Sequence, residues 1–379
     1  MPPPAIPEAI ELLVLQGTGF CNIDCSYCYL PGRTDPRRMS DETLRTVLAK
    51  VLRSRFVADA LTICWHAGEP LVLPRSFYAR AIALAASLAP PGLRLTHNIQ
   101  TNGLLIDEAW CGFLREHGIR LGLSLDGPAF LHDAARRTRS GEGTHARVMR
   151  GVALLQRHRV PFHVITVLRS ESLDHADALF DFYVEHGVRE VAFNIDETDG
   201  VAPVSSHAGP GAGAALRGFF RRFLERMRGA PGAISLREQV WATPAIANGL
   251  PEGYNQEAEP FRIVSVTRDG RMASFSPELL GTQSAAHGDF ILGDLMREDL
   301  ETIRVRTERS RLAAEIAAGV AACRDRCAYF RFCGGGAPGN KWAEHGSFDA
   351  TETAYCRLMR KTLIDCVLED MEVSLGLAG

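Results

Sequence analysis

From Glu11 to about Arg228, short apolar or β-branched runs alternate with longer stretches whose apolar residues recur at helical spacing. The strand-then-helix unit repeats six times. Strands are predicted near residues 11–16, 61–65, 94–100, 119–125, 162–168 and 189–195. Ser40, Asp107 and Thr144 are expected to cap helix starts, and two helices are expected to end near Gly118 and Gly187, where a residue without Cβ can turn the chain. Strands separated by a crossover helix pair in parallel, and the crossovers run right-handed. Six units are two short of the eight that close a barrel. The expected fold class is therefore α/β, a partial (β/α)6 TIM-like barrel whose functional loops lie at the strand C-termini.

The pattern changes after the Gly/Ala/Pro-rich stretch from Gly200 to Ala215 and a helix rich in Arg and Phe. Arg262 to Ser276 reads as a β-hairpin turning at Asp269-Gly270, followed by a cysteine- and glycine-rich segment, 323–356, and a closing helix to about Leu375. These features divide the chain into a barrel over residues 1–230 and a smaller α+β domain over 231–379.

With 379 residues, 46% of them hydrophobic, the chain can bury the cores of both units. Its 42 basic and 45 acidic residues leave a net charge of −3, spread so evenly that no field selects nucleic acid or an anionic membrane. Met1 to Glu8 lacks the basic start and apolar run of a signal peptide, and no later apolar run is long enough to span a bilayer, so a cytoplasmic address is expected. Seven of the ten cysteines fall in two tight groups. Disulfides are disfavoured in a reducing compartment, which points both groups toward metal or redox chemistry. Cys64, Cys111 and Cys366 stand alone and read as small buried apolar residues.

The first group, Cys21-x3-Cys25-x2-Cys28, occupies the loop after the first strand. Three thiolates can each hold one iron of a [4Fe-4S] cube and leave the fourth iron open. Zinc would ask for a fourth ligand, and the nearest candidate, His66, lies on another strand. Strand two ends in His66-Ala67-Gly68-Glu69-Pro70, strand three in Gln100-Thr101-Asn102-Gly103, and strand four in Ser124-Leu125-Asp126-Gly127-Pro128. Polar tips on apolar strands line a site. The second group, Cys323-x3-Cys327-x5-Cys333, then Gly334-Gly335-Gly336 and Cys356, supplies four thiolates, enough to close a cube or to hold a zinc ion.

These motifs, together with His132-Asp133, Arg136 and Gly141-Glu142-Gly143-Thr144, resemble the radical S-adenosylmethionine (SAM) enzymes that modify peptides and proteins. The resemblance implies that Cys21, Cys25 and Cys28 carry a cluster whose open iron chelates SAM and cleaves it to a 5′-deoxyadenosyl radical. Tyr27 fits the family pattern. Ala67-Gly68-Glu69 resembles its Gly-Gly-Glu motif, with Glu69 as ligand of the SAM amino group; Asn102 lies at the tip of strand three, and Ser124 and Arg136 would serve the SAM carboxylate or ribose. Segment 323–356 resembles the SPASM domain, which usually has seven cysteines and two auxiliary clusters. Here Phe275 and Ala337 stand at ligand positions, and no cysteine lies between Asn255 and Gly270. One auxiliary [4Fe-4S] cluster is expected, on Cys323, Cys327, Cys333 and Cys356.

The longest matching runs are Trp65 to Pro74, Thr138 to His145, Phe275 to Gly281, and Cys333 through Asn340-Lys341 to Thr353. They resemble the cyclophane-forming radical SAM/SPASM maturases associated with glycine-rich repeat precursor peptides. That likeness implies a C–C bond between an aromatic carbon and a β-carbon in a ribosomally made peptide, with electrons from a donor such as flavodoxin or ferredoxin. Glu278 and Asp196 are the candidate bases. Two alternatives remain: a formylglycine-forming sulfatase maturase, whose base directly follows the cysteine that Phe275 replaces and is Ser276 here, and a non-catalytic iron-sulfur or zinc scaffold. About ten residues precede strand one, so leader recognition is expected to use the barrel, the C-terminal domain or another protein.

Overall fold

Ten strands form a single sheet in the order β10-β9-β8-β1-β2-β3-β4-β5-β6-β7 in the computed structural model, which describes residues 9–198, 200, 202, 204–248 and 254–377. The Pro-rich start, Met1–Glu8, lies outside the described residues. The strands are β1 Ile10–Leu15, β2 Val57–Trp65, β3 Arg94–Thr101, β4 Arg120–Ser124, β5 Phe162–Leu168, β6 Glu190–Ile195, β7 Ser235–Leu236, β8 Ile263–Val266, β9 Arg271–Ser274 and β10 Gly293–Asp294. From β8 through β1 to β7 every pairing is parallel. Only the β8–β9 and β9–β10 pairings are antiparallel. The six predicted strands are the central six, and β7 and β8 extend them on either side of an open sheet.

Helices α1 Asp41–Leu52, α2 Arg75–Leu88, α3 Glu108–Glu116, α4 Ala129–Ala135, α5 His145–Arg157, α6 Ala176–Glu185 and α7 Ala212–Gly229 follow the first six strands. Outward-facing strand residues such as Leu13, Ile63, Trp65, Leu121, Leu123 and Phe193 pack against them in one large core. The alternate positions, which face the concave side, include Thr62, Cys64, His66, Gln100, Ser124, His163 and Asn194. An apolar outer face fixes register, and a polar inner face leaves room for chemistry.

Ser40 and Asp107 cap α1 and α3 by accepting from Thr43 N and Trp110 N. Thr144 does not cap α5 with its side chain. Asp133 does, because its Oδ1 accepts from the backbone N–H of Thr144 and of His145 at 2.7 and 2.8 Å. A Cβ on Gly143 would come within 2.5 Å of the same carboxylate, so glycine there admits this cap.

The remaining helices are α8 Arg237–Asn248, α9 Leu300–Glu308, α10 Arg311–Arg326, α11 Phe330–Cys333, α12 Pro338–His345 and α13 Leu363–Ser374. The predicted hairpin is β8–β9, turning through Gly270 at φ 89°. Strands from both sides of residue 230 share the sheet, and α13 packs on α7 and α8. Among the described residues no helix is long and apolar enough to cross a membrane.

Candidate active site

The loop after β1 carries Cys21, Cys25 and Cys28 beneath the C-terminal tips of β2, β3 and β4. Glu69 N donates to Phe20 O at 2.7 Å, which fastens the β2 tip to this loop. The contact is so close that a Cβ on Gly68, at φ 62°, would lie 2.5 Å from Phe20 O. Ala67 also adopts a left-handed φ, 74°, where glycine costs less.

Glu69 is 1% exposed. Its carboxylate accepts from Leu71 N at 2.9 Å, Thr101 Oγ1 at 2.6 Å and Asn102 N at 2.8 Å. Burial pushes its pKa up to about 7, although these three bonds oppose the shift. The carboxylate therefore clamps the β2 tip to the β3 tip, at the position where the resemblance puts the ligand of the SAM amino group. Asn102 in turn donates through Nδ2 to Asn22 Oδ1 at 2.7 Å and points the same nitrogen at Cys21 Sγ, 3.8 Å away. Ser124 Oγ accepts from Gln100 Nε2 on the inner face.

Asp126 is the hub of the β4 tip. Arg136 grips it with Nε and Nη2 at 2.8 and 3.1 Å, and Tyr27 Oη donates to it at 2.6 Å. Burial pushes the Asp126 carboxyl up, but the charge and hydrogen bonds of Arg136 outweigh burial and hold it below its usual value. The third guanidinium nitrogen lies 4.0 Å from Cys25 Sγ. Behind this pair, Asp126 N donates to His132 Nδ1, so His132 Nε2 carries the proton and donates to Thr144 Oγ1, which donates to Arg136 O. Burial lowers the His132 pKa to about 4 and keeps it neutral. The expected group Tyr27, Asn102, Ser124 and Arg136 thus surrounds the cysteine loop. Asp126, which organises two of its members, was missed because Asp-Gly-Pro reads as a turn.

Cys21 and Cys25 resist ionisation, burial pushing their pKa to about 12 and about 11. Thiols with this preference become thiolates when a cationic cluster binds, and three of them with a glycine-lined strand tip above fit a cluster that presents one open iron.

The second cysteine group encloses one cavity, lined by Cys323, Cys327, Cys333 and Cys356 with Gly335, Gly336 and Lys341. Cys323 lies on α10, and Cys327 is its C-cap residue. Cys333 ends α11, after which Gly334, Gly335 and Gly336 all take positive φ and let the chain turn beneath the cavity. Cys356 opens a π-helical segment, Cys356–Thr362, that runs into α13. Four convergent thiols fit a fully ligated cluster.

Asp196, expected as a candidate base, sits at the β6 tip locked by Ser206 N and Oγ, both at 2.7 Å, and by His207 at 3.2 Å. Burial raises its carboxyl, but these partners hold it below its ordinary value. A carboxylate so stabilised is a poor base. Glu278 is half-buried in the Pro277–Leu279 turn beside α12. A carboxyl that the sequence reading passed over, Glu257, accepts from Ser276 Oγ at 3.1 Å in a half-buried position, and burial raises its pKa against the opposing charge of Arg360.

Residues 15–183 match the radical SAM superfamily. The chain is 37% identical to the uncharacterized protein sll1766 of Synechocystis sp. over 97% of its own length and 94% of that protein's. It is 34% identical to the serine-type anaerobic sulfatase-maturating enzyme of Klebsiella aerogenes, over 63% of this chain and 60% of that enzyme. Among solved structures, anSMEcpe with bound AdoMet and the Cp18Cys peptide superimposes with a TM-score of 0.78 at 21% identity, covering 97% and 99% of the two chains. SuiB of Streptococcus suis, bound to precursor peptide SuiA, gives 0.65 at 15% identity, covering 92% and 76%. With the cysteine loop, the strand tips around it and the enclosed four-thiol cavity, the match over residues 15–183 gives this chain a radical SAM domain, that of an enzyme working with [4Fe-4S] clusters and SAM.

Proposed function

We propose that the enzyme matures a ribosomally made peptide by joining an aromatic side-chain carbon to the β-carbon of a nearby residue. The observation that carries this reading is the apolar block around Phe275. Phe275 is buried with Leu279, Phe290, Leu312, Ile316 and Phe348, and Trp342 stacks on Phe348 at 5.3 Å. This packed block stands where the sulfatase-maturase pattern places a cluster ligand followed by an acid. Ser276, at the acid position, is fully buried, donates to Glu257 and accepts from Gly339 N at 3.0 Å, so its hydroxyl is committed to structure. A peptide substrate is supported by SuiB and anSMEcpe, both captured with peptides.

When bound, the cluster and SAM supply a hydrogen-abstracting radical. The chain does the rest. Gly68, Asn102 and Ser124 would line the SAM site, with Tyr27 and Arg136 at its flank and Glu69 placed to hold the SAM amino group. A substrate β-carbon that has lost hydrogen adds to the neighbouring ring, and restoring aromaticity releases one electron and one proton. Glu257 is suited to take the proton, since a half-buried carboxyl with a raised pKa is a stronger base than an exposed one. Cys323, Cys327, Cys333 and Cys356 would hold an auxiliary cluster able to accept that electron and exchange it with a flavodoxin- or ferredoxin-type carrier.

The second reading, formylglycine formation, is favoured by the likeness to the Klebsiella aerogenes enzyme. Co-expression with each small open reading frame beside the gene, followed by mass spectrometry, distinguishes the two. Cross-linking removes two hydrogens per bond, interrupts tandem fragmentation between the joined residues, and leaves nothing for a hydrazide to label. Hydrazide labelling with uninterrupted fragmentation would replace the cyclophane assignment by the second reading.

A further inference from the structure

Lys341 is a buried cation without a carboxylate. It is 4% exposed on α12, and its Nζ donates to Cys323 Sγ at 3.6 Å. Among the described residues it makes no ion pair. Gly319, in the middle of α10, packs close to it, where a Cβ would lie 2.0 Å from Phe348 O and 3.0 Å from Nζ. Burying an unpaired ammonium is costly, and the cost is offset only where an anion shares the site. A [4Fe-4S] core on four thiolates carries net negative charge, and one more unit after reduction. A fixed positive charge beside it therefore favours the reduced form.

Three other cations near the two cysteine groups have a carboxylate facing them. Lys361 pairs with Glu352, and Arg136, beside Cys25, is bound by both oxygens of Asp126. Arg360 lies over the rings of Trp241 and Tyr355, with Glu257 facing its charge.

We propose that Lys341 sets the reduction potential of the cluster on Cys323, Cys327, Cys333 and Cys356, raising it so that this centre is the more easily reduced of the two. The inference deepens the reading above, in which this cluster takes the electron released on rearomatisation; a cluster poised above the SAM-binding one can accept that electron without passing it to SAM. It makes Lys341 a positioning residue for charge that need not touch the substrate.

The test is an EPR-monitored redox titration of anaerobic holoenzyme without peptide, comparing wild type with Lys341→Met, Lys341→Gln and Lys341→Arg. The neutral variants are expected to shift the reduction equilibrium of the auxiliary cluster at least tenfold toward the oxidised form, about 59 mV for a one-electron couple. Lys341→Arg should stay near wild type, and the SAM-binding cluster should not move. Methionine and glutamine together separate charge from hydrogen bonding, since glutamine keeps an N–H donor. An auxiliary potential unchanged in the neutral variants overturns the proposal. So does cluster assembly that fails in both neutral variants yet survives in Lys341→Arg, which makes the cation a structural requirement. Because no peptide is present, either result is independent of whether the product is a cyclophane.

Discussion

Glu257 shows what a single residue contributes here. Burial raises its pKa while Arg360 opposes the shift, and the groups facing it are Ser276, Arg360 and Tyr355. If its carboxylate takes the ring proton, cross-linking requires the ionised form. Lowering the pH through the raised pKa then removes that form and slows the reaction at a pH where an exposed glutamate would still be charged. Glu257→Gln is expected to cut cross-linking about 10²- to 10⁴-fold and abolish the acidic limb of the pH profile, while 5′-deoxyadenosine still forms. Single-turnover rates across pH read this, and an acidic limb that survives in Glu257→Gln excludes the residue as base. The acids singled out from the sequence were Glu278 and Asp196, chosen for their place near motifs. A carboxyl's basicity depends on burial and neighbours brought together by folding, which is why Glu257 was invisible and why Asp196, locked by Ser206 and His207, is disqualified.

At the level of elements, the two cysteine groups differ in how they are held. The first sits on one loop, so its spacing alone announces it. The second is assembled from the end of α10, the end of α11, three left-handed glycines and a π-helical turn. Its cysteines were legible because they are conspicuous, whereas the π-turn was not, since an inserted residue in a helix leaves no fixed mark in periodicity. Lys341 was equally hidden, because a lysine on a short helix reads as solvated. Anaerobically reconstituted enzyme should bind about eight irons per chain, from two cubes. Replacing Cys323, Cys327, Cys333 and Cys356 together by Ala should leave about four, with SAM cleavage by a strong chemical reductant retained. Near four irons and one zinc in the unaltered enzyme would make the second site a zinc knuckle.

For the whole molecule, the strand pattern from residue 11 to 195 was readable because each strand buries one face and alternates. The edges were not. β7 is two residues long, and β8 was read as half of a separate hairpin, although its partner on the other side is β1. That pairing, from Leu12↔Ile263 to Leu15↔Val266, stitches residues assigned to the C-terminal unit into the barrel sheet. A chain ending at residue 230 would leave the apolar strand β1 with an unpaired edge and remove α13 from α7. Expressed alone, residues 1–230 should be insoluble or strongly aggregating, and a monodisperse, cooperatively melting fragment would show that the barrel stands without its partner. The same pairing has a consequence in time. β1 leaves the ribosome about 250 residues ahead of its neighbour β8, roughly 12–50 s earlier at ordinary rates of synthesis. Throughout that interval the strand that precedes the cysteine loop lacks one of its two neighbours, so iron loading of that loop is expected to follow the emergence of β8.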